Sequence, residues 1–207
     1  SSNSGELTLI HNGIIENYEA LKKLLVGKGY VFHSDTDTEV LVNLIEEVQK
    51  SHQYQLGKAV QVALSQVVGA YAIVVFDTKK TDELVVAKLG SPLAIGMGDQ
   101  EYFIASDASP FIEFTNKAVY LEDYQLAILK RDRAPKILSL ATDTFTDYYI
   151  QELELNLDAI EKGGYDHFML KEIYEQPRAI KDTYRGRLLA EAGLIKMAGI
   201  EEHLDKF

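Results

Sequence analysis

The sequence predicts an α+β fold, in which helices and antiparallel strands occupy different parts of the chain. Apolar residues recur at helical spacing in the first 67 residues, and from residue 70 onward they form short β-rich runs. The links between those runs are only a few residues long, whereas parallel strands need crossovers of about a dozen residues or more. Helical spacing returns after residue 165, where we predict no further strand.

The first part of the chain is predicted to contain one strand and three amphipathic helices. Asn17 is a candidate N-cap for the first helix, and Thr36-x-x-Glu39 has the form of a capping box that begins the second helix near Asp37. The strand is predicted over residues 6–11, and the helices over residues 18–26, from 37 onward, and 56–67.

The middle of the chain is predicted to form an antiparallel meander, and the end a pair of helices. Residues 142–165 are acidic and polar, which suits a boundary or a covering loop. Two helices, over residues 167–175 and 179–189, are expected to be separated at Pro177. The predicted strands cover residues 70–76, 83–88, 93–97, 102–105, 117–120 and 124–130.

Composition excludes several classes of function. The formal charge of -11 argues against non-specific binding to nucleic acid or to an anionic membrane, since both need a cationic surface. The longest apolar runs fall far short of the roughly 20 residues of a membrane span, and no signal peptide is evident, so we expect a cytoplasmic protein. None of the 207 residues is cysteine, which excludes disulfides, cysteine-ligated zinc and a cysteine nucleophile among them.

No metal or cofactor is predicted. The five histidines are scattered, with no HExxH motif and no i,i+4 pair. Gly96-Met97-Gly98 lacks the Gly-Lys-Ser/Thr ending of a phosphate loop, so we interpret it as a turn at the end of a strand.

Asn12-Gly13 is the first candidate site, because it follows a strand and precedes a helix. Gly13 can turn its amide toward a ligand with no side chain in the way, and the Asn12 carboxamide offers two further donors nearby. Converging donors of this kind form an oxyanion hole. The alternative is that Asn-Gly makes only a tight turn between two hydrophobic runs.

Asp37 is the second candidate, because a carboxylate in the first turn of a helix stays ionised beside the positive end of the helix dipole. Such a carboxylate can hold a substrate ammonium group. In the alternative interpretation, Asp35 and Asp37 merely complement the dipole while Ser34 and Thr36 cap the helix.

Several strings in the sequence carry a family resemblance: HNGIIENYEALKKLL, GYVFHSDTDTEVL, GAYAIVVFD, GSPLAIGMG, YFIASDASPF and KEIYEQPRAIKDT. Together they resemble the glutamine–fructose-6-phosphate aminotransferase (isomerising) family over nearly the whole chain. HNG with an Asp-rich helix start is shared by class II glutamine amidotransferases generally, whereas KEIYEQP discriminates among them.

The resemblance implies a partial N-terminal-nucleophile hydrolase fold, an αββα sandwich with antiparallel sheets, followed by a helical C-terminal segment. In that family a cysteine at the mature N-terminus attacks glutamine, and the released ammonia is transferred to fructose 6-phosphate to form glucosamine 6-phosphate. Asn12 and Gly13 match the family's oxyanion-stabilising pair, and Asp37 matches the carboxylate that holds the glutamine α-amino group. The full-length enzymes are expected to be homodimers.

The chain departs from the family pattern in lacking any cysteine and in aligning from a point inside the glutaminase domain. We therefore interpret it as a fragment that is inactive alone. Residues 1–165 would be the glutaminase domain without its N-terminal part, and residues 166–207 the interdomain linker and the start of the sugar isomerase domain. Three alternatives stay open: a non-catalytic ligand-binding or scaffold module, another class II glutamine amidotransferase, and a hydrolase that uses Ser1 as nucleophile.

Overall fold

The computed structural model describes residues 1–131, 133–153, 162–184, 188–189 and 194–195. The chain divides into two units, Ser1–Leu155 and Asn156–Phe207. The first unit contains three helices and two antiparallel sheets, which confirms the predicted α+β class. The predicted division at residue 165, with its assignment of residues 166–207 to a linker and an isomerase domain, stays a prediction.

The three predicted helices of the first unit are present as α1 (Tyr18–Gly27), α2 (Asp37–His52) and α3 (Leu56–Leu64). Thr36 caps α2 as predicted, because its hydroxyl accepts a hydrogen bond from the Glu39 amide. Asn17 holds the predicted N-cap position of α1, but its side chain makes no capping hydrogen bond. Its side chain instead donates to the Gln66 carbonyl at 2.8 Å and accepts from the Val68 amide at 3.0 Å, which ties the start of α1 to the segment after α3.

The strands form two antiparallel sheets, where the sequence predicted a single meander. The six-stranded sheet has the order β1-β2-β3-β7-β8-β9, and the four-stranded sheet has the order β10-β6-β4-β5. The strands are β1 (Leu7–Ile15), β2 (Gly69–Asp77), β3 (Lys80–Leu89), β4 (Ala94–Met97), β5 (Tyr102–Ala105), β6 (Lys117–Tyr120), β7 (Gln125–Lys130), β8 (Lys136–Ser139), β9 (Thr144–Phe145) and β10 (Gln151–Glu152).

The link Gly90-Ser91-Pro92 carries the chain from one sheet to the other, because β3 pairs with β2 and β7 whereas β4 pairs with β5 and β6. Strands β8 to β10 were not predicted. They are two to four residues long, and β9 and β10 are exposed, so they lack the apolar periodicity on which the prediction rests. Residues 154–161 of the predicted covering loop lie outside the described residues.

Two large hydrophobic cores and one small cluster among the described residues hold the first unit together as a layered sandwich. One core lies between the helices and the six-stranded sheet, with Leu41 and Ile45 of α2 and Ile73 of β2 fully buried. The other core lies between the two sheets and includes Val86 and Ile95. Within the described residues, turns at 107–114 cover the outer face of the four-stranded sheet, where the full αββα arrangement has helices.

Strand β1 continues through Asn12-Gly13 and ends at Ile15, so the predicted strand end at His11 and the alternative of a tight turn at this dipeptide are both wrong. The register with β2 is unbroken, with Asn12 opposite Ala72 and Gly13 opposite Tyr71. Tertiary pairing with a long apolar strand therefore outweighs the local turn preference of Asn-Gly.

The first residues of the chain are held against α2 by a buried carboxylate. The Glu46 side chain is 2% exposed and lies 3.2 Å from the Lys50 ammonium. It accepts hydrogen bonds from the hydroxyls of Ser2, at 2.6 Å, and Ser4. Burial alone would raise the pKa of Glu46, but these hydrogen bonds and the charge of Lys50 outweigh it and hold the pKa below its ordinary value.

Replacing Glu46 by glutamine is expected to lower the free energy of unfolding at pH 7 by about 2 kcal/mol, because charged hydrogen bonds inside the protein are lost. The pKa of Glu46 is lower in the native state than in the unfolded chain, so its ionised side chain stabilises the fold at pH values above the unfolded-state pKa. This stabilisation is lost as the pH falls through the native-state pKa. Urea unfolding at pH 7 and at acidic pH measures both effects. The exposed Glu19→Gln variant is the control, and a Glu46→Gln effect that persists undiminished in acid would contradict the assignment.

The second unit contains helix α4 (Phe168–Tyr184) and a ribbon of β11 (Leu188–Leu189) with β12 (Leu194–Ile195). The prediction of two helices separated at Pro177 is wrong, because α4 runs through the proline. A proline inside a helix removes one amide donor and its ring clashes with the carbonyl four residues earlier, at a cost of about 3 kcal/mol, yet it can kink a helix without ending it. The ribbon also corrects the expectation of no strand after residue 165. Residues 185–187 of the predicted second helix lie outside the described part.

Candidate functional site

The carboxylate of Asp37 lies against the backbone of strand β1. Its Oδ2 accepts a hydrogen bond from the Ile15 amide at 2.8 Å, although Asp37 follows Ile15 by 22 residues. The side chain is 23% exposed, so part of the carboxylate stays accessible. Asp35 behaves differently, because its side chain is fully exposed and pairs with Lys22 at 3.4 Å. The helix dipole alone does not explain why Asp37 turns inward to β1.

The amide of Gly13 points to the same edge of β1 as the amide of Ile15. The Glu16 amide donates to the carbonyl of Val68, the residue before β2. Along an antiparallel pair, every second residue directs its amide to the partner strand, so the residues between direct theirs away from it. Gly13 and Ile15 therefore direct their amides away from β2, toward the free edge of the sheet. Asp37 binds the Ile15 amide, and the Gly13 amide lies two residues earlier on the same edge of β1.

Position 13 requires glycine because of a close approach to strand β2. Gly13 has a φ of +130°, and a Cβ built on it would lie 2.1 Å from the carbonyl oxygen of Ala70. No side chain fits in that space, and L-residues rarely adopt this backbone conformation. The glycine thus keeps β1 paired with β2 at the point where its own amide faces outward.

The side chain of Asn12 points to the opposite face of the sheet from the helices. Alternation along β1 places Leu7 and Ile15 in the helix-side core and Asn12 on the other face. The Asn12 carboxamide is exposed, and its Nδ2 donates to the hydroxyl of Ser106 at 3.2 Å. The second N–H of the carboxamide has no protein partner among the described residues.

His11 contacts Asp37 at the candidate site, although the sequence pattern indicates no role for it, because the five histidines form no metal-ligating motif. Its side chain is 2% exposed, and its Nδ1 lies 3.1 Å from the Thr38 hydroxyl and 3.9 Å from Oδ1 of Asp37. Burial lowers the pKa of His11, although the Asp37 carboxylate opposes that shift. Side chains alternate between the two faces of β1, so positions 11, 13 and 15 share one face. This alternation is the sequence signal that places His11 on the same face as Ile15.

Ser1 lies away from the oxyanion donors. Its hydroxyl is 3.4 Å from the Thr8 hydroxyl, and Thr8 precedes Asn12 by four residues in β1, which is about 13 Å along a strand. A carbonyl oxygen bound at Asn12 would place its carbon out of reach of Ser1. This geometry argues against the alternative in which Ser1 is the nucleophile.

The end of β1 presents hydrogen-bond donors, and the start of α2, which contacts it, presents an acceptor. The donors are the Gly13 amide and the Asn12 carboxamide, and the acceptor is Asp37, whose carboxylate has lone pairs beyond the one used by Ile15. Across the residues that the structure describes, no group of three or more histidine, aspartate or glutamate side chains is arranged to hold a metal. Nor does any described helix have the length and apolar character needed to cross a membrane.

The chain matches a family model described as a glutamine amidotransferase domain over residues 1–113. It is 50% identical over 204 residues to the glutamine–fructose-6-phosphate aminotransferase (isomerizing) of Chlorobaculum tepidum, covering 98% of this chain and 33% of the relative. Identity to the enzyme of the same name from Bacteroides thetaiotaomicron is 48%, over 99% of this chain and 33% of the relative. The resemblance seen in the sequence is confirmed, and the chain spans about one third of these relatives' length.

The fold is similar to that of a solved glutamine phosphoribosylpyrophosphate amidotransferase from B. subtilis, with a TM-score of 0.56 and 32% sequence identity. That similarity covers 69% of this chain and 30% of the other chain. It supports the predicted N-terminal-nucleophile hydrolase sandwich. Taken with the family match over more than half of its residues, these findings show that the chain belongs to the glutamine amidotransferase domain family.

Proposed function

We propose that this chain supplies the oxyanion-stabilising and amino-group-binding part of a glutaminase site. Asn12 and Gly13 donate hydrogen bonds to the oxygen of the glutamine side-chain amide when a nucleophile attacks it. Asp37 accepts hydrogen bonds from the α-ammonium group of the same glutamine. Donors that are fixed before the reaction stabilise charge that develops only in the transition state, and removing one such donor typically costs about a hundredfold or more in rate.

The observation that carries this proposal is the hydrogen bond between Asp37 Oδ2 and the Ile15 amide. It joins the start of α2 to the end of β1, so that the ammonium acceptor and the oxyanion donors lie on adjoining segments. Glutamine carries an amide at one end and an ammonium group at the other, and it therefore suits a site with both kinds of partner.

The nucleophile must come from outside these 207 residues, because none of them is cysteine. We expect the chain alone to bind glutamine weakly and not to hydrolyse it. A non-catalytic ligand-binding module would keep the same donors and acceptor, so this alternative is distinguished by whether the longer protein carries a cysteine nucleophile.

The activity of the longer protein is inferred from the named relatives. We propose that it passes the ammonia to fructose 6-phosphate to form glucosamine 6-phosphate, in the cytoplasm and as a homodimer. Residues 166–207 would be its interdomain linker and the start of its sugar isomerase domain. The match over 98% of this chain to relatives about three times as long supports these proposals.

Replacing Asn12 by alanine is expected to weaken the binding of L-glutamate about tenfold and that of L-glutamine about threefold. The γ-carboxylate of glutamate is a charged acceptor, and hydrogen bonds to charged groups contribute about twice as much as those to neutral ones. Titration of the ¹⁵N-labelled chain, followed by NMR at the Gly13 and Ile15 amides, measures both affinities.

The matched control is Asn116→Ala, which removes an exposed carboxamide from a loop of the four-stranded sheet. It should leave both affinities unchanged. Equal binding of glutamate by the parent chain and by Asn12→Ala would contradict the role of Asn12. Absence of any shift at Gly13 and Ile15 with either ligand would contradict the proposed site as a whole.

A further inference from the structure

The segment that follows β5 is anchored against the four-stranded sheet by Phe111. Phe111 is 1% exposed and packs on Ala94 and Ala118. A Cβ at Gly96 would lie 2.7 Å from the Phe111 ring, so the ring occupies the space left by that glycine. The residue that begins this segment, Ser106, is therefore presented by a fixed support.

The turn immediately after Ser106 is fixed as well. The Asp107 carboxylate accepts a hydrogen bond from the Ser109 amide at 2.7 Å, which is the pattern of an Asx turn. Ser106 itself is exposed, and its hydroxyl accepts a hydrogen bond from Asn12 Nδ2 at 3.2 Å. This contact links β1 of one sheet to the end of β5 in the other.

The contact determines where the Asn12 carboxamide points. An amide nitrogen has two N–H groups in a fixed plane, so a hydrogen bond from one of them sets the direction of the other. Without a partner, an exposed asparagine rotates among several rotamers, and a ligand must then select the productive one at an entropic cost.

We propose that Ser106 is a positioning residue for the oxyanion site, which holds the Asn12 carboxamide so that its second N–H faces the ligand. This inference rests on the proposed function of Asn12. It assigns to the four-stranded sheet a part in a site whose other components all come from β1 and α2. Ser106 does not touch the reacting atoms.

The test compares Ser106→Ala with Ser106→Thr, which keeps the hydroxyl, in the 207-residue chain. Ser106→Ala is expected to weaken L-glutamate binding about three- to tenfold, the effect of one hydrogen bond, whereas Ser106→Thr should bind within about twofold of the parent. The control is Ser65→Ala, because that exposed hydroxyl, just after α3, bonds only to the Val62 carbonyl of the helix. Ser65→Ala should bind glutamate as the parent does.

A second measurement, made without ligand, separates this inference from the proposed function. The two side-chain N–H resonances of Asn12 should be dispersed in the parent and in Ser106→Thr, and should move toward the values of a freely rotating amide in Ser106→Ala. Unchanged resonances in Ser106→Ala would overturn the positioning role, whatever the glutamate affinity. If the resonances change but Asn12→Ala binds glutamate normally, Ser106 positions Asn12 while the oxyanion role of Asn12 is refuted.

Discussion

Replacing Gly13 by alanine is expected to lower the free energy of unfolding by at least about 3 kcal/mol. The added Cβ would lie 2.1 Å from the Ala70 carbonyl oxygen, and the φ of +130° is strained for any L-residue. Because the obstructing atom belongs to the backbone of the paired strand, β1 and β2 must separate locally to admit the methyl group. Urea unfolding of the parent and the variant measures the change.

The matched control for this prediction is Gly27→Ala at the end of α1. A Cβ at Gly27 meets no atom within 4 Å, and Gly27 does not have a positive φ. Alanine should therefore stabilise the chain there by up to about 1 kcal/mol, through the lower entropy of the unfolded state. A Gly13→Ala variant as stable as Gly27→Ala would refute the close approach of β1 and β2.

Replacing Asp37 by asparagine is expected to weaken L-glutamine binding tenfold or more, because charge-assisted hydrogen bonds to the α-ammonium group are lost. Asparagine keeps an oxygen that can accept from the Ile15 amide, so the local structure should persist. Glutaramic acid, which is glutamine without its α-amino group, should bind the parent and Asp37→Asn equally. NMR titration with both ligands separates loss of the ammonium contact from loss of structure.

Asp35→Asn is the control for Asp37, since it removes the same charge two residues away at the same helix terminus. Asp35 is fully exposed, and its partner is Lys22, so glutamine affinity should change little. An equal loss of glutamine binding in both variants would mean that the acidic start of α2 acts through long-range electrostatic attraction and not through direct contact with Asp37. An equal loss of glutaramic acid binding in Asp37→Asn would mean that the variant disturbs the site's structure.

The sequence predicted the three helices of the first unit well, because amphipathic segments carry a strong periodic signal, but it wrongly divided α4 at Pro177. The capping function of Thr36 followed from its spacing to Glu39, whereas Asn17 has an equally suitable side chain that bonds elsewhere. The difference arises because α3 and the segment after it lie within reach of Asn17, which depends on contacts between distant parts of the chain. Local propensity cannot report such contacts.

The candidate site, like the helices, has some features that local sequence predicts and others that depend on tertiary contacts. Local chemistry and family resemblance point to Asn12, Gly13 and Asp37, but Asn12-Gly13 lies inside a strand and not after one. His11 and Ser106 were not chosen at all. The contacts of both depend on folding, which brings His11 beside Thr38 and Ser106 beside Asn12.

The sequence by itself determined the α+β class, the family, the absence of a thiol from these residues and the chemistry of the donors and the acceptor. Each of these depends on residue identity or on periodicity over a short stretch. Only the tertiary structure decided that the strands divide between two sheets, that glycine is required at position 13 by the carbonyl of Ala70, and that Asp37 binds the Ile15 amide. These depend on how segments far apart in the chain pack, because packing forces act between neighbours in space and not between neighbours in sequence.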